Sequence, residues 1–170
     1  MAVVTETAKR QASAEPPYGA YAAIVGIFVG GLSAAGAVSR LLDREPQCWT
    51  PLDLGVLSMA TFKAARTLAR DEVTSFLREP FIEGEAHSGE DEEPVQTGGF
   101  DQAIGELVTC TRCVGTWAAA TLVTTQIVAP RFGRLLTWTL GTAGINDVLQ
   151  AGFSALTKKA NELDARSSVD

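Results

Sequence analysis

The stretch PPYGAYAAIVGIFVGGLSAAGAVS, residues 16–39, runs 24 residues without a charged side chain. As a helix it reaches about 36 Å at ~1.5 Å per residue, whereas a bilayer's hydrocarbon core is about 30 Å thick. A soluble surface helix keeps a polar face, and this one has none. The chain therefore reads as all-α and membrane-embedded, with a first span over 17–39. A cleavable leader is the rival reading, with Lys9 and Arg10 as its basic start and Ala35-Gly36-Ala37 as its cleavage motif. The apolar run exceeds the ~7–15 residues usual for such a core, which favours a span. Within the run a small residue recurs every fourth position, at Ala22, Gly26, Gly30 and Ala34. On a helix this makes a narrow stripe, with Gly26-x-x-x-Gly30 and Ala34 as helix-packing candidates against another helix of this chain or of a partner.

Outward from this stretch, residues 1–15 form a polar arm. Downstream, Trp49-Thr50-Pro51-Leu52-Asp53 carries a capping box with Pro at the first helical position, predicting a helix over 51–70. Lys63, Arg66 and Arg70 share one face near its end and can extend their charged heads toward the headgroups, so this helix is a second span or an interfacial helix. Asp71 to Phe81 is a short amphipathic piece, with Val73, Phe76 and Leu77 on one side and Pro80 ending it, and is expected on the membrane surface. Glu83 to Glu93 holds six acids and reads as a solvated, flexible loop that supplies much of the net charge of −6. Phe100, Ala103, Ile104, Leu107 and Val108 restore helical periodicity before Cys110-Thr111-Arg112-Cys113. Segments 114–130 and 135–157 complete the expected spans, the cytoplasmic amphipathic and acidic portion covers 71–113, and 158–170 is a polar tail.

The expected architecture is an integral membrane bundle of three or four spans within 16–157, with amphipathic interfacial helices. Counting Lys and Arg puts ten inside and four outside for either span number, so the positive-inside rule does not separate the two. Either arrangement makes Cys110, Cys113 and the C-terminus cytoplasmic, in a multi-pass protein of a bacterial inner membrane. Trp49, Trp117 and Trp138 each fall near a span start, where indoles favour the interface. No basic stripe with interleaved aromatics points to nucleic acid. No nucleophile elbow, phosphate loop or HExxH is present.

Three readings attach to the CxxC motif. Cys110 and Cys113 lie a helical turn apart at a span start, where backbone N–H groups favour a thiolate. They can form a dithiol–disulfide couple, contribute to a zinc site with Glu106 and ligands from elsewhere, or be small packing residues. To complete a metal set His87 would have to fold back from the acidic loop, Cys48 falls on the opposite side if there are four spans, and a dimer could supply two more thiols; zinc or no cofactor is the expectation. Asp147, with Asn146 beside it, is a carboxylate inside the last apolar run. At mid-span it costs about 2.5–3.5 kcal/mol on the insertion scale, so it faces protein or water, either in a transport role or in a structural pair with Arg66.

The segments Ala60-Thr61-Phe62-Lys63-Ala64-Ala65-Arg66, Asp71-Glu72-Val73, Leu77-Arg78-Glu79-Pro80-Phe81 and Gly105 to Trp117 resemble a small bacterial integral-membrane family, domain of unknown function thirteen-sixty, which includes a sporulation-associated member. Members often carry Pro after the first cysteine; Thr111 here relaxes the turn between the thiols. The resemblance implies a membrane fold and a bacterial origin, and no catalytic residues. Taken together, the expectation is a non-enzymatic component packing with itself or another membrane protein in the lipid bilayer. The alternatives are thiol chemistry at Cys110 and Cys113 and transport through Asp147.

Overall fold

The computed structural model describes residues 16–44, 49–84 and 92–167. The polar arm, Cys48, His87 and the centre of the acidic loop lie outside these residues. Among the described residues the fold is all-helical, apart from one isolated antiparallel bridge between Ile82 and Pro94. The helices are α1 (Tyr18–Leu41), α2 (Pro51–Arg70), α3 (Ser75–Arg78), α4 (Phe100–Thr109), α5 (Thr111–Val128) and α6 (Pro130–Ser167), with 3-10 turns at Glu72–Thr74 and Glu79–Phe81. Among the described residues one helix, α1, is long and apolar enough to cross a membrane on length and composition.

The start of α2 follows from its capping box. The Asp53 N–H donates to Thr50 Oγ1 at 3.2 Å, and the Thr50 N–H donates to Asp53 Oδ2 at 3.0 Å. Pro51 at the first position has no N–H to leave unpaired. The core is thin and built on small side chains. Leu57, Ala60 and Leu122 form one buried cluster, joined by the partly buried Trp49, Val123, Leu136 and Leu140; Ala65, Ala69 and Val114 form another.

The closest helix pair is α2 with α6. A Cβ on Gly141 would lie 2.9 Å from the Val56 carbonyl oxygen, and one on Gly144 would lie 2.7 Å from that of Met59. One turn further, Lys63 Nζ meets Asp147 Oδ2 at 2.9 Å. These three rungs keep a nearly constant sequence offset, so α2 and α6 run parallel with their backbones almost touching. α1 runs alongside α5 in the same direction: Tyr21 bonds Glu106 just before α5, Phe28 packs edge-on against Trp117, and Arg44 donates to the Val128 carbonyl at the far end. Trp49 and Asp53 share a small cavity with Gln126, Pro130 and Arg134, so the start of α2 meets the end of α5. The four long helices thus alternate in direction along the chain.

Several expectations change. The last helix does not stop near 157; it continues unbroken for 38 residues to Ser167, so the described part of the polar tail is helix. α5 begins at Thr111, because Cys110 breaks the chain direction and caps it. In α4 Ala103 is buried and Ile104, Leu107 and Val108 are half-buried, as the apolar repeat implies, but its first member Phe100 is exposed, and Gln102 and Gly105 are buried as well. The acidic loop is clamped at its ends: Glu83 N–H donates to Glu93 O at 2.8 Å and Val95 N–H to Phe81 O at 3.1 Å. Val73, Phe76 and Leu77 do point outward together, 74%, 65% and 45% exposed, whereas Arg78 beside them is fully buried.

Candidate functional site

The end of the bundle where α2 finishes and α5 begins holds most of the polar chemistry. Arg78 is its keystone. Its guanidinium makes a two-point pair with Glu92, Nε to Oε2 at 2.8 Å and Nη2 to Oε1 at 3.0 Å. Nη1 donates to the Leu68 carbonyl at 3.0 Å, in the last turn of α2, and to the Asp71 carbonyl at 3.1 Å, at its C-cap. The same nitrogen lies 3.1 Å from Thr74 Oγ1, whose hydroxyl bonds the carbonyls of Thr67 and Asp71. The planar fork of Arg suits this task, since it meets a carboxylate and carbonyls at once. Nothing in periodicity singled out Arg78 or Glu92, because Glu92 sits in an acidic run and Arg78 in a segment read as superficial.

Cys110 and Cys113 are joined as a disulfide. Cys110 has extended backbone and serves as the N-cap of α5, its Sγ accepting the Cys113 N–H at 3.2 Å. Cys110 is half-buried and Cys113 exposed. Glu106, expected as a possible third ligand, is otherwise engaged: it accepts from the Tyr21 hydroxyl at 2.5 Å and from Gln102 Nε2 at 2.9 Å. Among the described residues no three His, Cys, Asp or Glu side chains gather as metal ligands.

Asp147 pairs with Lys63, not with Arg66, and Asp71 lies 3.7 Å from the same ammonium. Geometry decides this: Lys63 follows the Val56 and Met59 rungs along the α2–α6 contact, while Arg66 is exposed and lines the cleft against α5. Asn146 is exposed and stands outside this ion pair. Ala22, Gly26, Gly30 and Ala34 are all exposed, and no atom lies within 4 Å of a Cβ built on either glycine. Among the described residues the stripe is therefore not used for packing. The glycines packed at the α2–α6 contact are Gly141 and Gly144, which the sequence reading did not single out. Their spacing of three, one turn before Asp147, was the available signal.

Between α2 and α5 lies an open cleft of about 670 Å³, lined by Arg66, Arg70, Thr111 and Arg112 on its polar side and by Phe62 and Gly115 on its apolar side.

A helical bundle with a first helix uncharged through Ser39 and a disulfide-capped α5 is the class of protein defined here. The chain belongs to the family described as "Protein of unknown function (DUF1360)", whose match covers residues 56–153. It is 31% identical over 104 residues to sporulation protein YjcA of Bacillus subtilis (strain 168), covering 58% of this chain and 88% of that relative. It is 25% identical over 118 residues to UPF0713 protein YngL of the same organism, covering 67% of this chain and 88% of that one. No solved structure matches.

Proposed function

We propose that this chain is a multi-pass membrane protein in which α1, α2, α5 and α6 all cross the bilayer, and that it serves as a non-enzymatic component packing with copies of itself or with another membrane protein. One observation carries the reading: the apolar surface is inverted. Among the described residues the buried apolar positions are mostly alanine, while Val25, Ile27, Val29, Leu149, Phe153 and Leu156 are each more than half exposed. In water each such side chain would forgo about 1.5–3 kcal/mol of burial. In lipid the same exposure costs nothing. The Lys63–Asp147 pair suits this setting, since it keeps two charges together inside the bundle. The exposed Ala22–Gly26–Gly30–Ala34 stripe is the surface we assign to the partner helix.

Alkaline washing of native membranes tests the reading. The protein should stay with the bilayer and come off only in detergent; recovery as a dissolved monomer would overturn it. Size analysis in several detergents should then give an oligomer or a stoichiometric complex, and a solitary monomer throughout would remove the packing role.

The Cys110–Cys113 bond favours a second reading, thiol–disulfide exchange with a dithiol partner. In quenched cells, alkylation should trap a mixture of reduced and oxidised forms that shifts with added dithiol. A pair that stays in one state under both oxidant and reductant would end this reading.

A further inference from the structure

We propose that the cleft between α2 and the first turn of α5 binds a phosphate ester, the headgroup of an anionic phospholipid, with Arg66 and Arg112 as its two guanidinium contacts. Both arginines are exposed and line the same cavity of about 670 Å³ from two different helices. Among the described residues neither has an acidic partner: Arg78 takes Glu92, and Lys63 takes Asp147 with Asp71 close by. Of the two acids at the rim, Asp71 thus leans on Lys63, and Glu72 is itself engaged. Two like charges facing one open space repel each other until an anion enters. Arg forks match phosphate oxygens by geometry as well as charge. Thr111, the first residue of α5, adds a hydroxyl at the positive end of an 18-residue helix.

The apolar side of the cleft selects a lipid over a free ion. Phe62 is 47% exposed, and Ala65 with the half-buried Gly115, one turn into α5, forms the wall beside it. A diacyl chain can lie along that wall while the phosphate sits at the arginines, which is how basic pockets between membrane helices hold acidic headgroups. The exposed Val73, Phe76 and Leu77 follow directly on α2, giving the same end of the bundle an apolar foot for the interface.

This inference rests on the membrane reading above, and its test separates the two. The full-length chain in a neutral detergent is titrated with phosphatidylglycerol, phosphatidylcholine or inorganic phosphate, following the thermal midpoint and the lipid retained in native mass spectra. Phosphatidylglycerol should raise the midpoint and remain bound, and phosphatidylcholine should do neither. Arg66→Gln and Arg112→Gln should each weaken phosphatidylglycerol about tenfold, the loss of one charge-assisted contact. Arg134→Gln, at the opposite end, should bind as the parent does. Should Arg66→Gln fail to fold, Arg112→Gln, at an exposed position, reads the same site. Competition by millimolar inorganic phosphate would keep the arginine site and reassign its ligand to a soluble phosphate. Equal binding of phosphatidylcholine, or parent-like affinity in both variants, overturns the proposal. A chain that dissolves without detergent yet still binds phosphate through these arginines would sink the membrane reading and spare the cleft.

Discussion

Arg78 shows how one side chain can decide a local fold. It is buried without residual exposure, and its donors are divided between Glu92 and the last carbonyls of α2. Removing one member of a buried pair leaves the other charge unpaired, at about 3–5 kcal/mol. Glu92→Gln should therefore lower stability by roughly that amount in a denaturant titration in mild detergent. Arg78→Met with Glu92→Leu should recover only part of the loss, since the Leu68 carbonyl stays without its donor, whereas the Asp71 carbonyl keeps its bonds from Thr74. Lys63 and Asp147 behave differently, because each keeps some exposure. Lys63→Met strands a carboxylate in the proposed span and should cost about 2.5–3.5 kcal/mol, with Asp147→Asn in the same chain restoring most of it. Restoration by the double variant would mark the pair as structural. A transport phenotype that persists in it would mark Asp147 as doing more.

At the scale of the elements, the molecule uses its glycines in two ways. Gly141 and Gly144 let α6 lie against the backbone of α2. Gly144→Leu would drive a side chain into the Met59 carbonyl and should destabilise the bundle by about 1–3 kcal/mol, seen as a lower thermal midpoint. Among the described residues, nothing lies within 4 Å of a Cβ built on Gly26 or Gly30. The pair Gly26→Leu and Gly30→Leu should therefore leave the midpoint of the isolated chain unchanged and abolish its association, measured by crosslinking in membranes. Loss of folding in that variant would instead mean that the stripe packs internally.

The whole molecule alternates four long helices, so its basic residues separate to two ends. Arg44 meets the end of α5, and Arg134 shares a cavity with the start of α2 and the end of α5. Arg66, Arg70 and Arg112 share the cleft at the other end. If the four helices span a membrane as proposed, the positive-inside rule predicts the larger group on the cytoplasmic side. In reduced intact cells, an impermeant maleimide should leave Cys110 and Cys113 unlabelled until the membrane is opened, whereas Arg134→Cys should label at once. Labelling in the reverse order would invert the orientation.

The amino-acid order by itself determined the helical class, the long apolar first helix, the α2 cap at Thr50 and Asp53, and the family, because these depend on local chemistry and on short-range spacing. It could not determine which side of each helix packs. Phe100 sits in the periodic stripe and is exposed, while Gln102 is buried, since in α4 hydrogen bonds to Glu106 and Gly98 outweigh side-chain polarity. Nor could it pair Lys63 with Asp147 or Arg78 with Glu92, because long-range partners follow from helix register and loop closure. Only the tertiary structure decided those pairs, and with them which arginines line an open cleft.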